Sequence, residues 1–82
     1  MHTIFLDGRD YDTARDLHEA LRRLLALPDY YGCNADALYD CLKGRRETVR
    51  LIVVCPGNDE VADTLRKCAA VIGDLGGEVS GL

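Results

Sequence analysis

Two carboxylates, Asp36 and Asp40, lie four residues apart in the stretch "LPDYYGCNADALYDCL" that runs from Leu27 to Leu42. Residues three and four apart share a helical face, so Asp36, Tyr39, Asp40 and Lys43 form one stripe if the stretch is helical. Three kinds of chemistry fit such a pair. The carboxylates can divide the work of general acid and base, hold Mg²⁺ together with Asn34, or present negative charge to a basic partner. The first two need a pocket, a nucleophile or a perturbing environment, and none is evident around these residues. A magnesium titration separates the readings, because a metal site responds to the ion and a protein-binding face does not need it.

Placing the pair on one helix has a cost. Asp36 falls in the first turn, where the helix dipole favours an anion, whereas Asp40 falls near the last, where it does not. The dipole at Asp40 and the like-charge repulsion at i,i+4 each cost roughly a few tenths of a kcal/mol. Lys43, Arg45 and Arg46 offset part of this, so a merely solvated acidic face is the plain alternative to a binding surface.

The element carrying the pair is predicted to run from Asn34, a good N-cap, to Lys43, with Gly44 as its C′ residue. Its opposite side holds Ala35, Leu38, Cys41 and Leu42, which can bury against a sheet or another helix. Upstream, "HTIFLDG" reads as a first strand closing on Asp7-Gly8. Next, "DTARDLHEALRRLLAL" sets Ala14, Leu17, Leu21, Leu24 and Leu25 at helical spacing. Thr13 and Asp16 resemble a capping box, and Pro28 stops the helix by pushing its predecessor out of the α region.

Downstream, "KGRRE" is a polar connection, and Arg45, Arg46 and Arg50 read as solvated. "VRLIVVC" is strand-like without alternation, which predicts a strand covered on both faces or central in its sheet. Pro56 to Asp59 make a turn and cap "EVADTLRKCAAVIGDL", whose Val61, Leu65, Cys68, Ala69 and Ile72 form one stripe ended by Gly76-Gly77. "EVSGL" reads as a short last strand. Strands alternating with helices imply parallel pairing, so the expectation is a small three-stranded α/β domain spanning residues 1–82 as one unit.

Composition narrows the partners. A net charge of −4 and a pI near 4.9 argue against nucleic acid or an anionic membrane, since both need Lys and Arg on the contacting face. The excess lies in the first half. Residues 1 to 42 carry eight acids (Asp7, Asp10, Asp12, Asp16, Glu19, Asp29, Asp36, Asp40) against four arginines, while residues 43 to 82 carry six of each sign.

Cys33, Cys41, Cys55 and Cys68 contain no CxxC pair, and with only His2 and His18 to add they argue against a zinc site. Cys41 reads as a core thiol, and Cys33 as the one cysteine open to solvent. His18 and Tyr31 read as structural. "MHTIFLDG" lacks the basic region and apolar core of a signal peptide, and no apolar run has the length of a membrane span, so a reducing, cytoplasmic setting is expected.

The wording of the stretch carries more than its charge pattern. "LPDYYGCNADALYDCL" followed by "KG" closely resembles the barstar family, intracellular inhibitors of the bacterial ribonuclease barnase. In that family the segment reads Leu-Pro-acid-Tyr-Tyr-Gly-x-Asn-x-Asp-Ala-Leu-aromatic-Asp-Cys-Leu. "DLHEALRRLLALP" is similar to the family's preceding helix, including Asp16-Leu17-His18 and the spacing to Pro28, so the likeness covers roughly residues 13 to 44.

This resemblance implies a three-stranded parallel sheet in the order 1-2-3, and a short helix and loop that enter the active site of an extracellular-type microbial ribonuclease in a one-to-one complex. It implies that Tyr30 packs at the catalytic centre, Asn34 and Asp36 contact the enzyme's rim and basic side chains, and Asp40 goes deepest, into the phosphate pocket. Tyr39 stands where the family usually has tryptophan, and Gly44 is implied to allow close backbone approach. No cofactor is implied. Cys33 replaces the acid often found before Asn34, and no acid in the last helix matches the family's contact there, where this chain reads Ala70, Val71 and Ile72. The same likeness admits an immunity or antitoxin domain, or a protein-binding module, with a different basic partner.

Overall fold

A computed structural model describes residues 1–82. Strand β1 (His2–Asp7) alternates, with Ile4 and Leu6 buried while Thr3 and Phe5 face solvent. It closes in a 3₁₀ turn over Gly8–Asp10, where the Asp7 carboxylate accepts the Arg9 N–H at 3.0 Å. This turn is tight for a steric reason: a Cβ on Gly8 would overlap the Cys55–Pro56 backbone, and one on Gly57 would overlap the backbone of Gly8.

Helix α1 (Ala14–Leu24) starts where the Thr13 hydroxyl accepts the Asp16 N–H at 3.1 Å. The reciprocal half of the expected capping box is displaced by one residue, because the Asp16 carboxylate accepts from the Asp12 N–H at 3.3 Å. A shorter acid than the usual Glu folds back on a different donor. Leu17, Leu21 and Leu25 are buried as a ridge at i, i+4 and i+8, but Leu24 lies off that ridge and is exposed, contrary to the stripe expected for it. His18 and Ala20 fill the inward face instead.

Helix α2 (Ala35–Leu42) buries Leu38 and Leu42 and half-buries Ala35, Ala37 and Cys41. Gly44 does not adopt the left-handed conformation of a C′ glycine; the chain leaves α2 through Lys43 in the right-handed region, with Arg45 N–H donating to the Leu42 carbonyl at 3.0 Å. Arg45 is exposed, as expected, but it is also anchored. Its guanidinium donates to the carbonyls of Leu25 (2.6 Å) and Ala26 (3.2 Å), which satisfies orphan acceptors at the end of α1.

Strand β2 (Val49–Cys55) pairs in parallel with β1 and with β3 (Glu78–Ser80), as the alternation of elements predicts, and the order is β1-β2-β3, as the family resemblance implies. It is central, but it is covered on one face only. Val49, Leu51 and Val53 are buried, whereas Arg50 and Val54 are exposed and Ile52 is half-buried. The β-branched run reflects fitness for a pleated backbone as much as burial, so the lack of alternation overstated the cover. On the open face Phe5 is 64% exposed, and Arg50 pairs with Glu78 of the neighbouring strand at 2.8 Å rather than standing free.

Helix α3 (Asp59–Asp74) is capped by Asn58, whose Oδ1 accepts the Val61 N–H at 2.9 Å. The same side chain donates to the Asp12 carbonyl at 2.9 Å, and the Glu60 carboxylate accepts the Ala14 N–H, so α1 and α3 begin tied together. Val61, Leu65, Cys68 and Ile72 join the inward faces of the strands and of α1 and α2 in one core of 16 buried residues. Truncating one of its fully buried members, such as Leu38, costs about 2–5 kcal/mol. No helix is long and apolar enough to cross a membrane.

Candidate functional site

Two stripes make α2 a carrier. Leu38 and Leu42 fix it to the core, and that fixes the opposite face outward, where Asp36, Tyr39, Asp40 and Lys43 are all exposed. Lys43 Nζ stands 3.6 Å from the Asp40 carboxylate, at a distance and exposure where an ion pair contributes only about 0–0.5 kcal/mol. No other ion pair joins Asp40 or Asp36, and neither carboxylate has a hydrogen-bond partner within the chain.

The loop before α2 splits its two tyrosines. Tyr30 is 87% exposed and Tyr31 is buried, because adjacent side chains in an irregular segment point apart and only one can reach the core. Tyr30 is therefore open to solvent, as are Tyr39, Asp36 and Asp40 on α2. Asn34 is exposed, yet its amide is occupied: Oδ1 accepts the Ala37 N–H at 2.7 Å as the N-cap, and Nδ2 donates to the Gly32 carbonyl at 3.3 Å. Its first role is to start the helix that carries the acids. Gly44 sits in open space, with nothing within 4 Å of where a Cβ would project, so the fold does not require glycine there.

Sequence reasoning missed what holds the loop. His18, Glu19 and Arg22, at i, i+1 and i+4 of α1, each reach it. His18 Nδ1 lies 2.7 Å from the buried Tyr31 hydroxyl, which in turn reaches the Asn34 carbonyl at 3.4 Å. Glu19 accepts from Arg22 Nε at 3.1 Å and from the Cys33 thiol at 3.7 Å, and Arg22 also meets Asp29 at 3.4 Å. The Arg22 contact holds the Glu19 carboxyl below its usual range, while burial and the adjoining Glu19 push the Cys33 thiol up. A polar residue on the inward edge of α1, facing a loop with a second aromatic, was the available signal.

The thiols also sit differently from expectation. Cys33, Cys41 and Cys55 are all partly exposed and all four cysteines are free, so Cys33 is not the one accessible thiol. Cys33 adopts φ +54°, in the left-handed region that a side chain occupies at a cost of roughly 1–2 kcal/mol. Burial pushes the Cys68 thiol up to about 12. No group of three or more His, Cys, Asp or Glu side chains is arranged to hold a metal ion.

A cavity of about 50 Å³ lies behind α2, lined by Leu42, Lys43, Arg45, Glu47, Thr48, Val49, Ile72 and Leu75. It includes neither Asp36 nor Asp40. The carboxylates thus lie outside the cavity, on exposed helix surface.

The chain is thus a small α/β domain with a three-stranded parallel sheet, an acidic outward face on α2 and an exposed tyrosine in the loop before it. The sequence matches the family described as Barstar (barnase inhibitor) over residues 1–80, and the protein belongs to that family. It is also 52% identical over 44 residues to the "Putative ribonuclease inhibitor YrdF" of Bacillus subtilis (strain 168), across 54% of this chain and 48% of that protein. The match thus spans about half the length of that curated relative.

Proposed function

We propose that this protein inhibits a barnase-type microbial ribonuclease by placing the outward face of α2 and the loop before it in the enzyme's active site, one inhibitor to one enzyme. The observation that carries the reading is the shared exposure of Asp36 and Asp40 beside Tyr30 and Tyr39, with Lys43 as the one nearby countercharge. A ribonuclease must stabilise an anionic phosphate with Arg, Lys and His, so a rigid carboxylate-bearing helix complements that site without being cleaved. Asp40 occupies the phosphate pocket, Tyr30 packs against the catalytic centre, Asp36 and Asn34 meet the rim, and Gly44 lets the backbone approach. In the complex the enzyme's cations relieve the repulsion that the free helix carries. No cofactor takes part, and the protein acts without catalysis of its own.

Membership of a barnase-inhibitor family and the likeness to a protein named as a ribonuclease inhibitor support this reading. Cys33 in place of an acid and Tyr39 in place of tryptophan favour a second one on the same face: an immunity or antitoxin role against a different basic toxin. Titration calorimetry against a barnase-type ribonuclease, run beside residual RNA cleavage, separates them. Tight one-to-one binding with loss of cleavage is the expected result, and the absence of binding shifts the target to another basic protein.

A further inference from the structure

The inhibitory face depends on a side chain that never touches it. His18 is buried on α1, and its Nδ1 stands 2.7 Å from the Tyr31 hydroxyl, with the two rings tilted at 53° and their centroids 5.7 Å apart. The Tyr31 hydroxyl reaches on to the carbonyl of Asn34 at 3.4 Å. That carbonyl also accepts the Leu38 N–H at 3.0 Å, the first intrahelical bond of α2, while the Asn34 side chain caps Ala37. The proton assignment that serves all three groups has His18 Nδ1–H donating to Tyr31 and the Tyr31 hydroxyl donating to Asn34. We propose that His18 is a positioning residue for inhibition: through Tyr31 it fixes the Asn34 cap, and so sets the height and direction at which Asp36 and Asp40 are presented.

The proposal rests on the inhibitor reading above for its functional consequence, but the positioning itself is a property of the free protein. Tyr31 belongs to the hydrophobic core, and His18 is buried beside it. The titratable groups acting on Tyr31 are the thiols of Cys68 on α3, Cys33 in the loop and Cys41 on α2. Burial alone lowers the His18 basicity, with no carboxylate contributing to hold a charged ring. A neutral imidazole is therefore the form the site favours: protonation at Nε2 leaves the Nδ1–H contact to Tyr31 in place but puts a charge in a buried site, which loosens the packing around the anchor. The loop-to-helix junction also carries local strain, with Cys33 at φ +54° one residue before the cap; Ala26, after α1, is the other non-glycine residue in the left-handed region. An anchor on each side of that residue holds the loop in a conformation it does not prefer locally.

Two variants and two readouts test this. Tyr31→Phe removes only the hydroxyl, and His18→Gln keeps a hydrogen-bonding group of no charge. Hydrogen exchange on the free protein is expected to show the Ala37 and Leu38 amides losing at least tenfold protection in Tyr31→Phe, while Leu51 and Val53 in β2 keep theirs. Uniform loss at both places would show a merely global effect and overturn the proposal, as would no loss at Ala37 and Leu38. Inhibition of the ribonuclease is then measured from pH 8 to pH 5. Wild-type dissociation is expected to accelerate on acidification through the imidazole range, with Tyr31→Phe fast at every pH and His18→Gln nearly flat. A wild-type and His18→Gln pair with the same pH profile would overturn it. If wild-type protein fails to inhibit at all, the inhibitor reading fails while the exchange experiment still decides whether His18 positions the helix.

Discussion

Asp40 and Lys43 stand 3.6 Å apart, one turn along α2, with side chains 71% and 57% exposed. The pair is too open to lock either group, so Asp40 is available to a partner, and its removal disturbs the free protein little. Asp40→Ala loses a contact worth about 0–0.5 kcal/mol but also removes an anion from the C-terminal half of the helix and its repulsion with Asp36, and these effects nearly cancel. The urea midpoint is expected to stay within experimental error or rise slightly. Inhibition is expected to weaken by roughly a hundredfold or more, since deleting one member of a desolvated charge pair costs about 3 kcal/mol or more. Unchanged inhibition would sink the proposed mechanism.

Gly44→Ala separates folding from recognition in the opposite sense. A Cβ at Gly44 meets nothing within 4 Å, and the residue is not in the left-handed region, so the fold should tolerate alanine and gain about 0.5 kcal/mol from a less flexible unfolded chain. If a ribonuclease approaches this backbone closely, the added methyl collides with it. A collision costs roughly 1–3 kcal/mol, or about five- to a hundredfold in affinity. Thermal melts and inhibition titrations on the same preparation check both halves, and a variant that is more stable yet equally inhibitory rules out close approach at Gly44.

In the proposed complex the exposed carboxylates also govern how fast the basic enzyme arrives. At 0.1 M salt the screening length is about 10 Å, and at 1 M about 3 Å, so steering by Asp36 and Asp40 is largely gone at the higher value. Stopped-flow association should slow steeply with salt in the wild-type protein and less steeply in Asp36→Asn/Asp40→Asn. An association rate indifferent to salt contradicts the electrostatic part of the mechanism, whatever the final affinity.

Much of this architecture was legible because the relevant signals are local. Asn34 and Asn58 were readable as caps, the two stripes of α2 followed from its spacing, and parallel pairing followed from alternating elements, while the strand order came from the family resemblance. What the sequence concealed depends on three-dimensional neighbours. The open face of β2 was hidden because Ile52 and Val54 satisfy strand propensity without a covering helix, leaving Phe5 and Val54 exposed. Arg45 looked solvated until the end of α1 came within 2.6 Å of it. His18 looked merely structural, because its partner Tyr31 lies 13 residues away, beyond any helical period. Of the site itself, the outward acids were readable from spacing and the loop's anchors were not.

Thiol chemistry offers an independent check on the loop. Cys33 is partly exposed, but burial and the neighbouring Glu19 carboxylate raise its thiol above the ordinary value, so the reactive thiolate is scarce near neutrality. Labelling with a disulfide reagent at pH 8 should find Cys33 slower than its exposure suggests, and Cys68 silent until the protein unfolds. Glu19→Gln should speed the Cys33 reaction by removing the adjacent negative charge. A Cys33 rate insensitive to Glu19→Gln shows that the two side chains do not meet in solution.

The dependence of stability on acidity follows from His18. Burial lowers its folded value below the ordinary imidazole value of about 6.5, so on acidification the unfolded chain takes up the proton first. Stability contributed by the neutral ring is therefore complete above about pH 6.5 and is lost as pH falls from there toward the lowered folded value. Asp7 and Glu19 shift in the other helpful sense, below the carboxylate range, and their smaller, solvent-screened contribution disappears only near and below pH 4. The His18 loss therefore begins at higher pH than the carboxylate loss. Urea midpoints from pH 8 to pH 5 should fall in the wild-type protein and stay nearly level in His18→Gln, with both proteins losing stability together once the carboxylates protonate. A wild-type curve flat down to pH 5 means that His18 titrates alike in the folded and unfolded chains, and with that its burial against Tyr31 would not persist in solution.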